Sequence, residues 1–176
     1  MQSTTRLASV EEAGSKMDVR AGKYLVFQLG KEEYGIQVLK VREIMGIQDI
    51  TAVPQTPAYL KGVINLRGKV IPVVDLRLKF SLQEIPYTGR TCIIVIQVRS
   101  QSGPMMIGIV VDGVTDVLNL APADIEDTPD FGRSATTPYL LGLAKIKGAV
   151  KILLDIDQVL GGSDMRGIET TMGNFK

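Results

Sequence analysis

The chain contains no histidine, no tryptophan and a single cysteine. The first absence excludes a Ser-His-Asp triad, a histidine general base and a His-ligated metal. One thiol forms neither an internal disulfide nor a zinc-binding cysteine cluster. A basic excess is also missing, with 20 Lys and Arg against 19 Asp and Glu. Nucleic-acid binders draw most of their affinity from phosphate neutralisation, so no nucleic-acid partner is expected. Aromatic residues are only 5%, which leaves aliphatic side chains to fill the core. No apolar run approaches the ~20 residues of a membrane helix. The longest runs are Cys92–Ile96 and Ile107–Val111, the latter interrupted by Gly108. Residues 1–22 are mostly small and polar and lack the apolar segment of a signal peptide. They read as a disordered tail whose removal leaves the melting temperature nearly unchanged. The expectation is a cytoplasmic chain with no direct membrane insertion and a reduced thiol.

What is present is a repeat. Tyr59–Phe80 aligns with Tyr139–Leu160 without a gap at an offset of 80 residues. Six positions are identical: Tyr59/Tyr139, Leu60/Leu140, Gly62/Gly142, Gly68/Gly148, Val70/Val150 and Asp75/Asp155. Upstream, at an offset of 73, Gly35-Ile36 matches Gly108-Ile109, and Val41–Met45 matches Val114–Leu118. Further up, Tyr24–Leu29 corresponds to Cys92–Val98. Repeats of this kind precede every other inference about fold.

The first unit reads as short strands at Lys23–Leu29, Glu33–Val38, Arg42–Gln48, Gly62–Leu66 and Val70–Asp75, from alternation and β-branched content. Gly30-Lys31-Glu32 and Arg67-Gly68-Lys69 are its tight turns, and a single helical turn fits around Leu39-Lys40. Asp75 and Asp155 are placed to cap short closing helices. Five short strands with one short helix suggest a small closed barrel, because closure removes exposed edges. The expected architecture is mainly β. A single domain over 23–161 comprises two five-stranded barrels in tandem, about 23–85 and 88–161, with a short helix after each. Residues 162–176 are assigned to a C-terminal tail. A seam between the barrels is the natural groove.

Several motifs dissolve on inspection. Gly62–Lys69 has five residues between its glycines and Val70 after the lysine, so it is no phosphate loop. The acidic cluster Asp124, Glu126, Asp127 and Asp130 lacks the EF-hand spacing and glycine. Cys92 begins an aliphatic strand and has no histidine to activate it. Met105-Met106 read as packing residues. No catalytic, metal or cofactor site emerges. Glu43, on an alternating strand and so read as outward-facing, and Arg67, at a glycine turn, are either solvated charges or marks of a recognition surface.

The runs Tyr24–Gly30, Glu33–Ile36, Val41–Ile44, Gly62–Gly68 and Ile71–Arg77, with Gly108–Val114 in the second unit, resemble the CheW family of chemotaxis coupling proteins. The resemblance spans about residues 23–160 and is most specific at Asn65–Gly68 followed by Pro72–Leu76. It implies two SH3-like five-stranded barrels and a non-enzymatic adaptor without cofactors. Its implied partners are methyl-accepting chemoreceptors and the regulatory domain of the histidine kinase CheA, itself CheW-like. Receptor binding in the groove between barrels then falls on Val38, Val41, Glu43 and Ile44 in the first barrel and Gly108, Ile109 and Val110 in the second. Arg67 is the family's conspicuous functional charge, contacting a partner or orienting Glu43. No residues are assigned to the kinase. The implied location is cytoplasmic, with recruitment to receptor arrays at the inner membrane. The hairpin Arg99–Pro104 departs from the pattern in being longer. An adaptor of a related chemosensory pathway, such as surface motility, is the close rival. A small-molecule-binding barrel is the distant one, and it requires an enclosed polar pocket.

Overall fold

The computed structural model describes residues 19–127, 139–161 and 163–173. Strands β1 (Gly22–Leu29) and β2 (Glu32–Gln37) form a hairpin, and a 3₁₀ turn at Val38–Lys40 leads into β3 (Val41–Gly46). Then come β4 (Leu60–Leu66), β5 (Lys69–Asp75) and helix α1 (Leu76–Lys79). The second half follows with β6 (Cys92–Ser100), β7 (Gly103–Val111), β8 (Gly113–Leu120), β9 (Ile125–Glu126), β10 (Leu140–Ile146), β11 (Ala149–Leu154) and α2 (Ile156–Val159). A last helix, α3, spans Ser163–Gly173. The mainly β architecture with short helices is the one expected. No helix among the described residues is long and apolar enough to cross a membrane.

The strands are distributed differently from the tandem reading. One sheet has the order β8-β1-β2-β11-β10-β9, the other β3-β6-β7-β5-β4. Each sheet therefore takes strands from both repeat units. The first hairpin, β1–β2, completes the sheet of the second unit, and β6–β7 completes that of the first. Parallel ladders join the exchanged pieces: β5 with β7, and β11 with β2. The chain crosses between sheets twice, at Val38–Lys40 and at Asp112, so β3 to β7 form one contiguous sheet. The boundary near 85–88 is thus no boundary between sheets. No closed ladder is seen among the described residues, but each sheet comes back on itself: Thr51, beyond β3, bridges to Val63 of β4, and β9, beyond β8, pairs with β10. That arrangement is compatible with the two SH3-like units expected.

The repeat is faithful in detail. The pairing of β3 with β6 is bulged at Arg42, and that of β1 with β8 is bulged at Thr115, its repeat counterpart. Arg67-Gly68 and Lys147-Gly148 both turn with positive φ (51° and 84°, 52° and 81°), the geometry that matches strand twist in two-residue hairpins. Gly62 and Gly142 are required for one reason. A Cβ at Gly62 lies 2.0 Å from the Thr51 carbonyl oxygen, and one at Gly142 lies 2.7 Å from that of Glu126. At both sites a crossing segment pairs with the bulged strand. Asp75 Oδ1 accepts from Arg77 N, and the Asp155 side chain accepts from Gln158 N, so both capping assignments hold.

The largest apolar cluster lies between the sheets. Ile94, Ile96, Ile107 and Ile109 of one sheet meet Leu25, Phe27, Leu29 and Ile36 of the other, with Leu76, Ile156 and Val159 from the short helices. Two smaller clusters fill the outer faces, one around Val73, Ile93 and Val95, the other around Tyr24, Leu120 and Leu153. Burial pushes the Tyr24 hydroxyl up to about 12, while its O–H donates to the Arg20 carbonyl at 2.6 Å.

Two terminal assignments need correction. Residues 1–18 lie outside the described residues, but the tail does not extend to Gly22. Arg20 Nη1 donates to Asp127 Oδ1 and to the Leu141 carbonyl, each at 2.9 Å. Removing the chain through Gly22 therefore costs stability. At the other end, α3 buries Ile168, which is 1% exposed, in the inter-sheet cluster beside Met172. A helix docked by an apolar face is part of the core, not a tail.

Two outcomes follow. Ile168→Ala lowers unfolding free energy by about 2–4 kcal/mol, measured by urea titration, whereas a tail residue changes nothing. Glu33 Oε1 accepts from Lys151 Nζ at 2.6 Å and Oε2 from the Thr115 hydroxyl at 2.8 Å, tying β2, β11 and β8 together. The Lys151 contact, then that of Thr115, hold its carboxyl below the ordinary 4.5. A depressed folded pKa stabilises above the ordinary value and loses that stabilisation as pH falls through the depressed one. Glu33→Gln is therefore less stable than the parent at about pH 7, and the gap narrows below about pH 4. A gap independent of pH contradicts this reading.

Candidate functional site

The bulge at Arg42 organises the first edge of the contiguous sheet. Opposed residues of an antiparallel pair share a face. Val41 opposes Ile96 and Ile44 opposes Ile94, so both lie on the side of the inter-sheet core. Glu43 opposes Val95 and Met45 opposes Ile93, which places them on the other side. Without the extra residue, Val41 and Ile44 could not share a face. Val38 and Val41 are half-buried against the main cluster, while Ile44 is 45% exposed.

Glu43 does not point outward as its alternation suggested. It is half-buried, and its Oε1 accepts from Arg67 Nη2. Its Oε2 is buried and accepts no hydrogen bond among the described residues. Arg67 reaches it from the β4–β5 turn, where Asn65 Oδ1 accepts from Gly68 N at 2.7 Å and fixes the loop. Since β3 and β4 are the two edges of the five-stranded sheet, the pair joins the ends of an open ladder. The repeat counterparts Asp116 and Lys147 form no ion pair with each other among the described residues. Asp116 instead accepts from Val117 N.

Gly108, Ile109 and Val110 are elsewhere. They lie on β7 of the same sheet as Glu43, two strands away, and not across a seam. Ile109 is fully buried, Val110 is 2% exposed, and a Cβ at Gly108 lies 2.9 Å from Ile93 Cγ2. They build the core behind β6 and present no surface. The seam itself is filled by side chains.

The accessible groove is nearby. It has a volume of about 590 Å³ and is lined by Leu39, Lys40, Arg42, Gln97, Arg99 and Pro104, among others. It opens where the β3–β6 ladder ends at Val41–Ile96, leaving Gln97–Ser100 without a strand on that side. Leu39 is 86% exposed on the 3₁₀ turn, more than any other large apolar residue described. Lys40, Arg42 and Arg99 line the same groove. Lys40 Nζ pairs with Asp157 Oδ2 at 2.6 Å. Arg42 donates to Gln97 Oε1 and to the Leu39 carbonyl. Sequence reasoning missed Leu39, although an apolar residue beside basic Lys40 in a one-turn segment entered from polar Gln37 was a usable signal. The departing hairpin Arg99–Pro104 forms one wall.

The acidic residues have protein partners. Asp124 accepts from Ala121 N, Glu126 pairs with Lys145, and Asp127 pairs with Arg20. Asp130 lies outside the described residues. Cys92 is half-buried against the main cluster. For the edge-joining pair, a double-mutant cycle of Glu43→Ala and Arg67→Ala yields a coupling below about 1 kcal/mol, because the Arg67 side chain is 74% exposed. A larger coupling contradicts a role in recognition rather than folding.

The chain has known relatives in sequence and in fold. The family model described as CheW-like domain matches residues 23–163. The chain is 43% identical over 143 residues to the chemotaxis protein CheW of Klebsiella aerogenes, covering 81% of this chain and 84% of that protein. It is 36% identical over 135 residues to the chemotaxis protein CheW of Rhizobium meliloti, covering 77% and 84%. The crystal structure of the scaffolding protein TtCheW from Thermoanaerobacter tengcongensis superposes with a TM-score of 0.72 at 30% identity, covering 82% of this chain and 95% of that one. The chain belongs to the CheW-like family of chemotaxis scaffold proteins, which are adaptors and not enzymes.

Proposed function

We propose that this chain couples the cytoplasmic tips of methyl-accepting chemoreceptors to the CheW-like regulatory domain of the kinase CheA, in the cytoplasm at receptor arrays. The observation that carries the receptor half is Leu39, a large aliphatic side chain held almost fully exposed beside a groove rimmed by Lys40, Arg42 and Arg99. Contiguous apolar patches rimmed by polar residues mark interaction surfaces, whereas a single exposed side chain does not, so Leu39 marks one only together with its apolar neighbours on the same edge. A helix face lays apolar residues into such a groove, and the basic rim favours a helix whose apolar anchor is flanked by carboxylates. Val38, Val41 and Ile44 extend the apolar side of this edge. Glu43 and Arg67 fix the same edge strand from its other face. Gly108, Ile109 and Val110 contribute from behind, by shaping β6.

A modest interface, at or below about 1,200 Å², suits reversible signalling. Affinity then rises in an array through effective concentration. The kinase domain shares the family fold, which permits pseudo-symmetric rings of adaptor and kinase domains.

Leu39→Asp tests the receptor surface. Binding to a soluble receptor cytoplasmic fragment, followed by calorimetric titration, weakens at least about tenfold. The melting temperature is preserved because the side chain is in solvent. Unchanged affinity removes the groove from the interface.

A further inference from the structure

We propose that Asp157 and Glu169, both beyond the last strand, are positioning residues that hold the β6 wall of the groove in place for its partner. This rests on the receptor reading above. Where β3 ends, the edge of β6 is left without a strand. One carboxylate takes a main-chain donor of that edge instead, and a second takes a donor of the turn that follows it. Asp157 Oδ1 accepts from Arg99 N at 2.9 Å, and Glu169 Oε1 accepts from Gln101 N at 3.1 Å. The other oxygen of Asp157 holds Nζ of Lys40, also a lining residue, at 2.6 Å. One carboxylate on α2 thus ties the 3₁₀ turn to β6, and a second on α3 steadies the hairpin tip.

The repeat supplies an independent observation. Asp157 is the counterpart of Arg77 at the offset of 80. Arg77 Nη1 donates to Asp112 Oδ2 at 2.6 Å, and the same oxygen accepts from Gly30 N at 2.8 Å. Both knots therefore contain the residue after Ile156 or Leu76, a charge at a crossing between sheets, and an N–H at the end of a first-hairpin strand. Their polarity is reversed. In one knot the crossing supplies the acid and the helix the base; in the other the crossing supplies Lys40 and the helix Asp157. In both, the acid takes the strand-end N–H. Inversion of the pair with retention of the N–H contact shows that the knot locks a crossing. Only the Lys40 crossing borders the groove with Leu39.

The test uses the full chain and two readouts. Amide exchange by NMR on the free protein reports the clamp, and titration with the receptor fragment reports the partner. In Asp157→Ala, protection at Arg99 falls about tenfold and affinity weakens about tenfold, with the protein folded at the assay temperature. In Asp157→Asn, whose side-chain carbonyl still accepts from Arg99 N, protection and most of the affinity return. Should Asp157→Ala not fold, Glu169→Ala gives the same test, with protection lost at Gln101 and affinity about threefold weaker. Unchanged protection, or wild-type affinity after protection is lost, overturns the proposal. A wild-type chain that fails to bind the fragment overturns the receptor reading and the partner role built on it. Exchange on the free protein then separates that failure from failure of the clamp itself.

Discussion

The two parallel ladders, β5 with β7 and β11 with β2, are the constraint on which the rest depends. A parallel pair cannot be joined by a tight turn, so a long connection must separate its strands. Between β5 and β7 that connection stays with the same sheet, through α1 and β6; between β2 and β11 the chain leaves for the other sheet and returns at β8. In both, the first hairpin of one repeat unit is lent to the other. The two sheets are consequently interlocked, and the apolar faces of the lent hairpins meet between them. That is why the largest cluster lies between the sheets, and why neither half of the sequence owns a core.

The groove is a by-product of the same exchange. At Val38–Lys40 the chain abandons one sheet for the other and has no ladder to join for one turn. Leu39 is turned into solvent, and β6 runs on past the end of β3. At the other crossing, the Arg77–Asp112 pair is only 14% and 18% exposed, and the Gly30 N–H is drawn into it. The repeat thus accounts for the fold, and departures from the repeat mark the surface proposed for receptor binding. Glu43 and Arg67 are paired where, among the described residues, Asp116 and Lys147 are not, and of the two tied crossings the one held by Asp157 presents Leu39 to solvent.

Much of this was legible in the sequence because it is local. The capping roles of Asp75 and Asp155, the turns at Arg67-Gly68 and Lys147-Gly148, and the helical turn at Leu39 each depend on a few adjacent residues. Which sheet a strand joins does not, since the period-2 pattern of β1 or β6 is the same in either sheet. That ambiguity hid the exchange of hairpins between the two units. The resemblance made Gly108, Ile109 and Val110 surface candidates, although the apolar run Ile107–Val111, interrupted only by Gly108, already suited a strand buried on both faces. The bulge at Arg42 reversed the side assigned to Glu43, because one inserted residue changes which positions share a face. Helix α3 offered little signal beyond Ile168 and Met172 at i, i+4 spacing, too short a period to distinguish it from a polar tail.

The coupling role is the central claim. The most direct test reconstitutes receptor cytoplasmic fragments on vesicles with CheA and measures kinase autophosphorylation with and without this chain. The account predicts that receptor-dependent activation and its inhibition by attractant appear only when the chain is added. Equal kinase activity and equal attractant response in its absence contradict it.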